Sequence, residues 1–147
     1  MDKNKLNRLI AKVEKPARYM GGELNMRIKA EAEFRFALCF PDTYEIGMSH
    51  LGSRIIYNIL NKRADTYCER VYAPWVDMEE QLRENNEPLF SLETRSPLRE
   101  FNVIGFSLLY EMCYTNILTV LVLSGIPFLA SERGEDMHLI AAGGPCV

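Results

Sequence analysis

The cysteines are too scattered to pinch a metal or staple a short loop. Cys39, Cys68, Cys113 and Cys146 stand far apart with no CxxC pair. That spacing argues against a zinc knuckle or a disulfide framework, and for buried, reduced thiols in a cytoplasmic protein. Long hydrophobic runs are missing as well. None reaches the ~18 residues of a membrane span, and the longest candidate, Ile117 to Leu123, has the length of a core helix segment. The charged start Met1-Asp2-Lys3-Asn4-Lys5 lacks the apolar centre of a signal peptide. Net charge is −3 with the two signs mixed, so no basic footprint points to nucleic acid. Gly47 to Gly52 lacks both the GxGxxG spacing and the Walker lysine, which argues against a nicotinamide dinucleotide or ATP site. There is no internal repeat and no low-complexity tract.

What is present suits one globular domain with a sizeable core: 147 residues, 48% of them hydrophobic. Phe34 to Phe40 is a short apolar run that predicts a strand covered on both faces. Pro41-Asp42 ends it, because proline donates nothing to a ladder and aspartate favours a turn. A polar, glycine-containing loop follows. Then Leu51, Ile55, Ile56, Ile59 and Leu60 recur at helical spacing and predict a helix.

Upstream, Leu6, Leu9, Ile10 and Val13 predict an amphipathic helix over residues 3 to 14, ended by Pro16. Pro16 to Glu23 reads as a strap over the surface, or as a loop whose Arg18 or Tyr19 touches a ligand or partner. Downstream, Tyr67 to Tyr72 predicts a second strand. Asp77 with Glu80 resembles a helix start, and a short exposed helix runs to about Asn85. Pro88 to Glu93 is a brief extended piece, and Val103 to Ser107 is a third strand. A helix over Tyr110 to Leu123 is stopped by Gly125. Phe128 to Ala130 reads as extended, Glu132 to Asp136 as a polar turn, and His138 to Ala142 as a last strand.

Strands alternating with helices predict a parallel sheet with right-handed crossovers. Three loops, Asp42–Gly52, Ser107–Glu111 and Gly143–Pro145, then open on one edge, where such sheets hold their ligands. The last strand has no helix after it. The expectation is a fragment, cut before at least one more helix and strand, that exposes apolar surface there.

The segments PARYMGGELN, FPDTYEIGMSHLG, ERVYAPWVDME, PLFSLETRSPLREFNVIGFSLLYE, YTNIL, SGIP and AAGGP together resemble the N-terminal cobalamin (B12)-binding-like domain of B12-binding-domain radical SAM proteins. The resemblance covers nearly the whole chain from Pro16. It implies a Rossmann-like, flavodoxin-type, three-layer α/β/α fold with a mainly parallel sheet. Residues 1–24 would form an N-terminal helix and strap, and residues 25–147 the B12-binding-type domain. It also implies a downstream radical SAM domain in the same polypeptide. That domain would carry S-adenosylmethionine and a [4Fe-4S] cluster on a CxxxCxxC motif, which this chain lacks.

Cobalamin domains of this kind carry D-x-H-x-x-G, then S-x-L, then G-G. Asp42 to Gly47 fits the first pattern with Tyr44 in place of histidine. Ser107-Leu108-Leu109 fits the second, and Gly143-Gly144 the third. In a second register Gly52 takes the glycine place and Ser49 the histidine place, with His50 beside it. The resemblance therefore implies a corrinoid site at Asp42, Tyr44, Glu45, Gly47, Met48, Ser49, His50, Gly52, Ser107, Leu108, Tyr110, Glu111, Gly143 and Gly144. No residue is assigned to catalysis or to a metal.

A corrinoid is a broad apolar disc fringed with amides, and its detached nucleotide tail needs a slot into the sheet. Gly143 and Gly144 would let backbone approach closely. Met48, Leu108 and Tyr110 would pack on the ring, and Glu45 and Glu111 would accept from its amides. Plainer roles stand beside these. Ser107 can cap the next helix, Gly-Gly-Pro can simply turn the chain, His50 can bond backbone at a helix start, and Tyr44 and Trp75 can be core. If cobalamin binds, the cobalt is expected base-off with no histidine from this chain, since a neutral phenol is a poor ligand and its reference pKa is near ~10.

Three functions of different class follow. The first is a cofactor module that presents cobalamin to the radical SAM domain. The second is a Rossmann-like domain that has lost cobalamin and serves as a scaffold or as a substrate- or partner-binding module. The third, a free-standing enzyme using Cys39 or His50, finds no paired base or oxyanion loop in the sequence.

Overall fold

The structure is a computed structural model that describes residues 3–134 and 138–147. Met1, Asp2 and the Glu135–Asp136 part of the expected polar turn lie outside the described residues. Four strands, β1 (Phe34–Phe40), β2 (Thr66–Tyr72), β3 (Val103–Ser107) and β4 (Leu139–Gly143), form one sheet in the order β2-β1-β3-β4. Every pairing is parallel, with Phe36 opposite both Cys68 and Val103, and Gly105 opposite Ala141. The helices are α1 (Lys3–Ile10), α2 (Tyr44–Ser49), α3 (Leu51–Lys62), α4 (Val76–Asn85) and α5 (Tyr114–Leu123). This is a three-layer, doubly wound α/β fold of Rossmann-like type. The winding reverses between β1 and β3, because β1 leads outward to β2 while β3 leads the other way to β4.

The two faces of the sheet are unequally covered. On one face Ala37, Cys39, Val71, Ile104 and Phe106 meet α1, α4 and α5 in the main core. Leu6 and Ile10 of α1 belong to that core, as do Met78 and Leu82 of α4. The helix expected to be exposed after Trp75 is thus half-buried. Its start also differs from expectation. The cap is Trp75, without a side-chain bond, while Asp77 accepts from the Glu14 and Met78 N–H groups. On the other face α3 covers the sheet through a small cluster of Leu38, Tyr57 and Cys68, with Phe36 and Leu60 at its margin, and α2 lies over Phe40 and Tyr72 at the strand ends.

The apolar repeat of α3 does not face the sheet. Leu51, Ile55, Ile56 and Ile59 are 64%, 50%, 42% and 58% exposed, while Ser53 and Tyr57 are buried. Polar contacts fix this rotation. Asn61 donates to the Cys68 carbonyl (2.9 Å) and accepts from the Cys68 N–H (3.1 Å). The Tyr57 hydroxyl accepts from the Arg27 N–H (2.8 Å), and its ring lies under the Arg70 guanidinium. These contacts are satisfied in the observed rotation, which leaves the isoleucines outside.

Other differences are local. The loop after β1 begins as helix α2. The helix expected from Tyr110 opens as a 3-10 turn, Glu111–Cys113. Ala130, expected as extended, starts a 3-10 turn to Glu132. Gly125 ends α5 at φ +65°, as its place after an apolar helix predicted.

The two isoleucines Ile104 and Ile59 separate these faces experimentally. Ile104→Ala is expected to cost about 2–5 kcal/mol, whereas Ile59→Ala should stay within about 0.5 kcal/mol, as surface changes do. Urea unfolding of both variants checks this; equal losses would contradict the orientation of α3.

Candidate functional site

The carboxyl ends of β1 and β3 converge at the point where the winding reverses. Asp42 leaves β1 and accepts from the Thr43 N–H through Oδ1 (2.7 Å), while its Oδ2 accepts from the Tyr110 hydroxyl. The Asn116 amide donates to the Pro41 carbonyl (2.9 Å). Leu108 N–H donates to the Gly143 carbonyl (2.8 Å), tying the second loop to the third. The expectation that three loops share one edge therefore matches the structure.

Gly144 sits at φ +142°, and a Cβ there would overlap the Leu108 carbonyl. This glycine serves the chain's own close approach. Gly143 has open space around its α-carbon. Ser107 pairs with Gly143 at the strand end, half-buried. Neither the 3-10 turn nor α5 has a side-chain cap, so Ser107 is not a capping residue. Glu111 is exposed.

The first loop is organised differently from the open, polar segment expected. Its residues coil into α2 and the start of α3. Gly47 lies against the Tyr72 and Phe40 rings with no room for a Cβ. The Met48 sulfur accepts from the Tyr72 hydroxyl (2.9 Å) and from Arg70 Nη1 (3.3 Å). Tyr44 donates to Glu23 (3.2 Å) and meets the Tyr72 ring edge-on. Burial raises the Tyr44 hydroxyl above its ordinary value, and Glu23 adds to the rise, so it is a neutral phenol. Glu45 pairs with Arg18 (2.8 Å). Ser49 is exposed and donates to the Ile46 carbonyl (2.8 Å). His50 caps α3: Nδ1 accepts from the Ser53 N–H (3.1 Å), and the ring tilts onto Phe40. Gly52 makes room for that ring.

A corrinoid tail would need a slot between the ends of β1 and β3. In this arrangement Asp42 and Tyr110 bridge that slot, and Gly47 is turned inward under Tyr72 rather than toward an opening. The residues as placed do not fit the group. The two nucleophile candidates, Cys39 and His50, are not free at this edge. Burial pushes the Cys39 thiol far up, and His50 is engaged as a cap. Among the described residues no three His, Cys, Asp or Glu side chains gather as metal ligands would.

Beside the crevice lies a network that the motifs did not announce. Arg70, in the middle of β2, donates to Glu93 from its backbone N–H (2.7 Å) and from Nε (2.6 Å). Glu69, fully buried, accepts from Arg35 (2.6 Å), Ser91 (2.7 Å) and Thr94 (2.6 Å). A signal did exist: Glu69-Arg70 and Arg35 are charged residues inside strands, where an unpaired charge is rarely tolerated. The strap closes over this region. Arg18 stacks on Trp75, and the Tyr19 hydroxyl accepts from the Trp75 N–H (3.0 Å). Together with Tyr44, Tyr72 and Met78 they line a cavity of about 20 Å³, room for one water.

The fold and its carboxyl-edge crevice define a Rossmann-like module. The sequence from Gly52 to Val147 matches the family described as radical SAM proteins, N-terminal, and the chain belongs to that family. No curated protein and no solved structure matches it. Membership implies a downstream domain in the same polypeptide. No described helix is long and apolar enough to cross a membrane.

Two measurements follow from this geometry. Gly144→Ala should lower the melting temperature clearly, since strain and overlap act together, while Gly143→Ala should leave it almost unchanged; similar effects would contradict the close approach to Leu108. Burial raises the Glu93 carboxyl from 4.5 to about 7, against the pull of Arg70. A carboxyl raised on folding holds its proton more tightly in the folded chain. Its stabilising contribution is therefore full below pH 4.5 and lost as the pH rises through about 7. Urea midpoints across this window should fall with pH in the wild-type chain and flatten in Glu93→Gln.

Proposed function

We propose that this chain is the N-terminal module of a radical SAM enzyme and that it acts as a scaffold and partner-binding body rather than as a cobalamin carrier. The Asp42–Tyr110 bridge carries this reading. It joins the β1 and β3 loops across the crevice where a ligand of such a sheet would enter. The inward packing of Gly47 and the capping role of His50 support it. On this reading [4Fe-4S] and S-adenosylmethionine belong to the downstream domain, and the radical chemistry is done there. The N-terminal module orders its own edge and offers surfaces to that domain or to its substrate.

A second reading keeps the corrinoid. It is favoured by the half-buried Ser107 at the strand end and by the open space over Gly143. It requires Tyr110 to swing off Asp42, and it leaves the cobalt base-off without a histidine ligand.

Titrating the full polypeptide with hydroxocobalamin separates the two. The scaffold reading expects no stoichiometric binding and no base-off absorption change, with or without Tyr110→Phe. Stoichiometric uptake with a base-off spectrum would overturn it. In that event, electron paramagnetic resonance of the Co(II) form should show no nitrogen splitting that depends on His50.

A further inference from the structure

We propose that a helix from the downstream part of the same polypeptide fills a trough between α3 and the exposed face of β3 and β4. The trough follows from the unequal layers. With Tyr57 facing the sheet and Asn61 bonded to β2, Ile56 falls on the opposite flank of α3, toward β3, because successive residues turn by 100°. Ile56 and Leu60 then form one wall. The floor is the sheet surface in register with Phe36: Val103 and Gly105 of β3, Leu139 and Ala141 of β4.

This floor is apolar, half-buried or buried along β3 and exposed along β4. Leu139 is 65% exposed, and Ala141 and Gly143 are exposed beside it. The other side of β4 is occupied, since Ile140 packs on the main core. The opposite flank of α3 is covered too. Arg27 bonds the Tyr57 hydroxyl, and Lys29 reaches the Thr66 carbonyl. A sheet buries both faces in folds of this class, so an apolar face bare beside one helix is a seat for another. Ala141 in its floor lets that element come close, while the Phe36 ring already covers Gly105.

The occupant is argued from the chain itself. The family places a further domain after this one, and the trough lies along β4, the edge strand nearest Val147 in the described sheet. A tethered segment meets the trough at an effective concentration in the millimolar range, far above that of a free partner or a second copy. The face to be covered is uncharged in its floor, so the segment should present an aliphatic stripe. The inference rests on the family's downstream domain and holds whichever way the corrinoid titration falls.

Maleimide labelling of the full polypeptide tests it, with rates read by peptide mass spectrometry. Ile56→Cys and Ala141→Cys should label at least ~10-fold more slowly than Glu80→Cys on α4, as a face open in a tenth of molecules or fewer requires. The protection should not change on dilution. Equal rates at the three positions would overturn the proposal. Protection that fades as the protein is diluted would also overturn it and assign the trough to a second copy. Carbene footprinting of the unmodified polypeptide provides a check free of substitutions: Ile56 and Leu139 should be protected, and strong modification of both would count against the inference.

Discussion

The outer edge of β2 is closed by side chains, and the rest of the molecule is arranged around that closure. At Cys68 the Asn61 amide takes both the N–H and the carbonyl. At Arg70 the Glu93 carboxyl takes the N–H while the Leu92 N–H supplies the carbonyl. Such an edge cannot pair with another chain. Asn61 sets the rotation of α3, Glu93 holds the loop that follows α4, and Arg70 reaches Met48 in the crevice wall. One strand edge therefore fixes a helix, a loop and part of the crevice wall.

That arrangement bears on the crevice. Three side chains that could have faced a ligand are engaged with neighbours: Tyr44 with Glu23, Met48 with Tyr72, and Asp42 with Tyr110. Buried polar networks of this density are costly to break piecemeal, because every partner left behind loses its bond. A broad cofactor would have to displace several of these contacts at once. A surface used for docking would need none of them to move.

Much of the fold was legible in the residues. The bounds of β1 and β3 follow from Pro41 and from the apolar runs, and Gly125 marks the end of α5. The convergence of Asp42, Ser107 and Gly143 follows from a parallel sheet alone. The rotation of α3 was not legible, because a periodic row of isoleucines gives a face but not its direction. That direction is set by Asn61 and Tyr57 through partners distant in sequence. Helix α2 was hidden for a similar reason, since a short segment containing Gly47 has little helical preference of its own. The Glu93–Arg70 pair joins residues that no spacing rule connects, although charges in mid-strand mark where such a pair is required.

The contrast between the two sheet edges has a consequence for synthesis. The β2 edge is closed by its own side chains, whereas Leu139, Ala141, Ala142 and Gly143 of β4 are exposed. N-terminal regions fold first as a chain emerges, at about 5–20 residues per second. This domain therefore carries the exposed strand Leu139–Gly143 in the open while the family's downstream domain is still being made. In that interval the cell sees a nascent chain with one sticky border, and chaperone contact with the Leu139–Gly143 stretch would bear directly on how much of the enzyme matures.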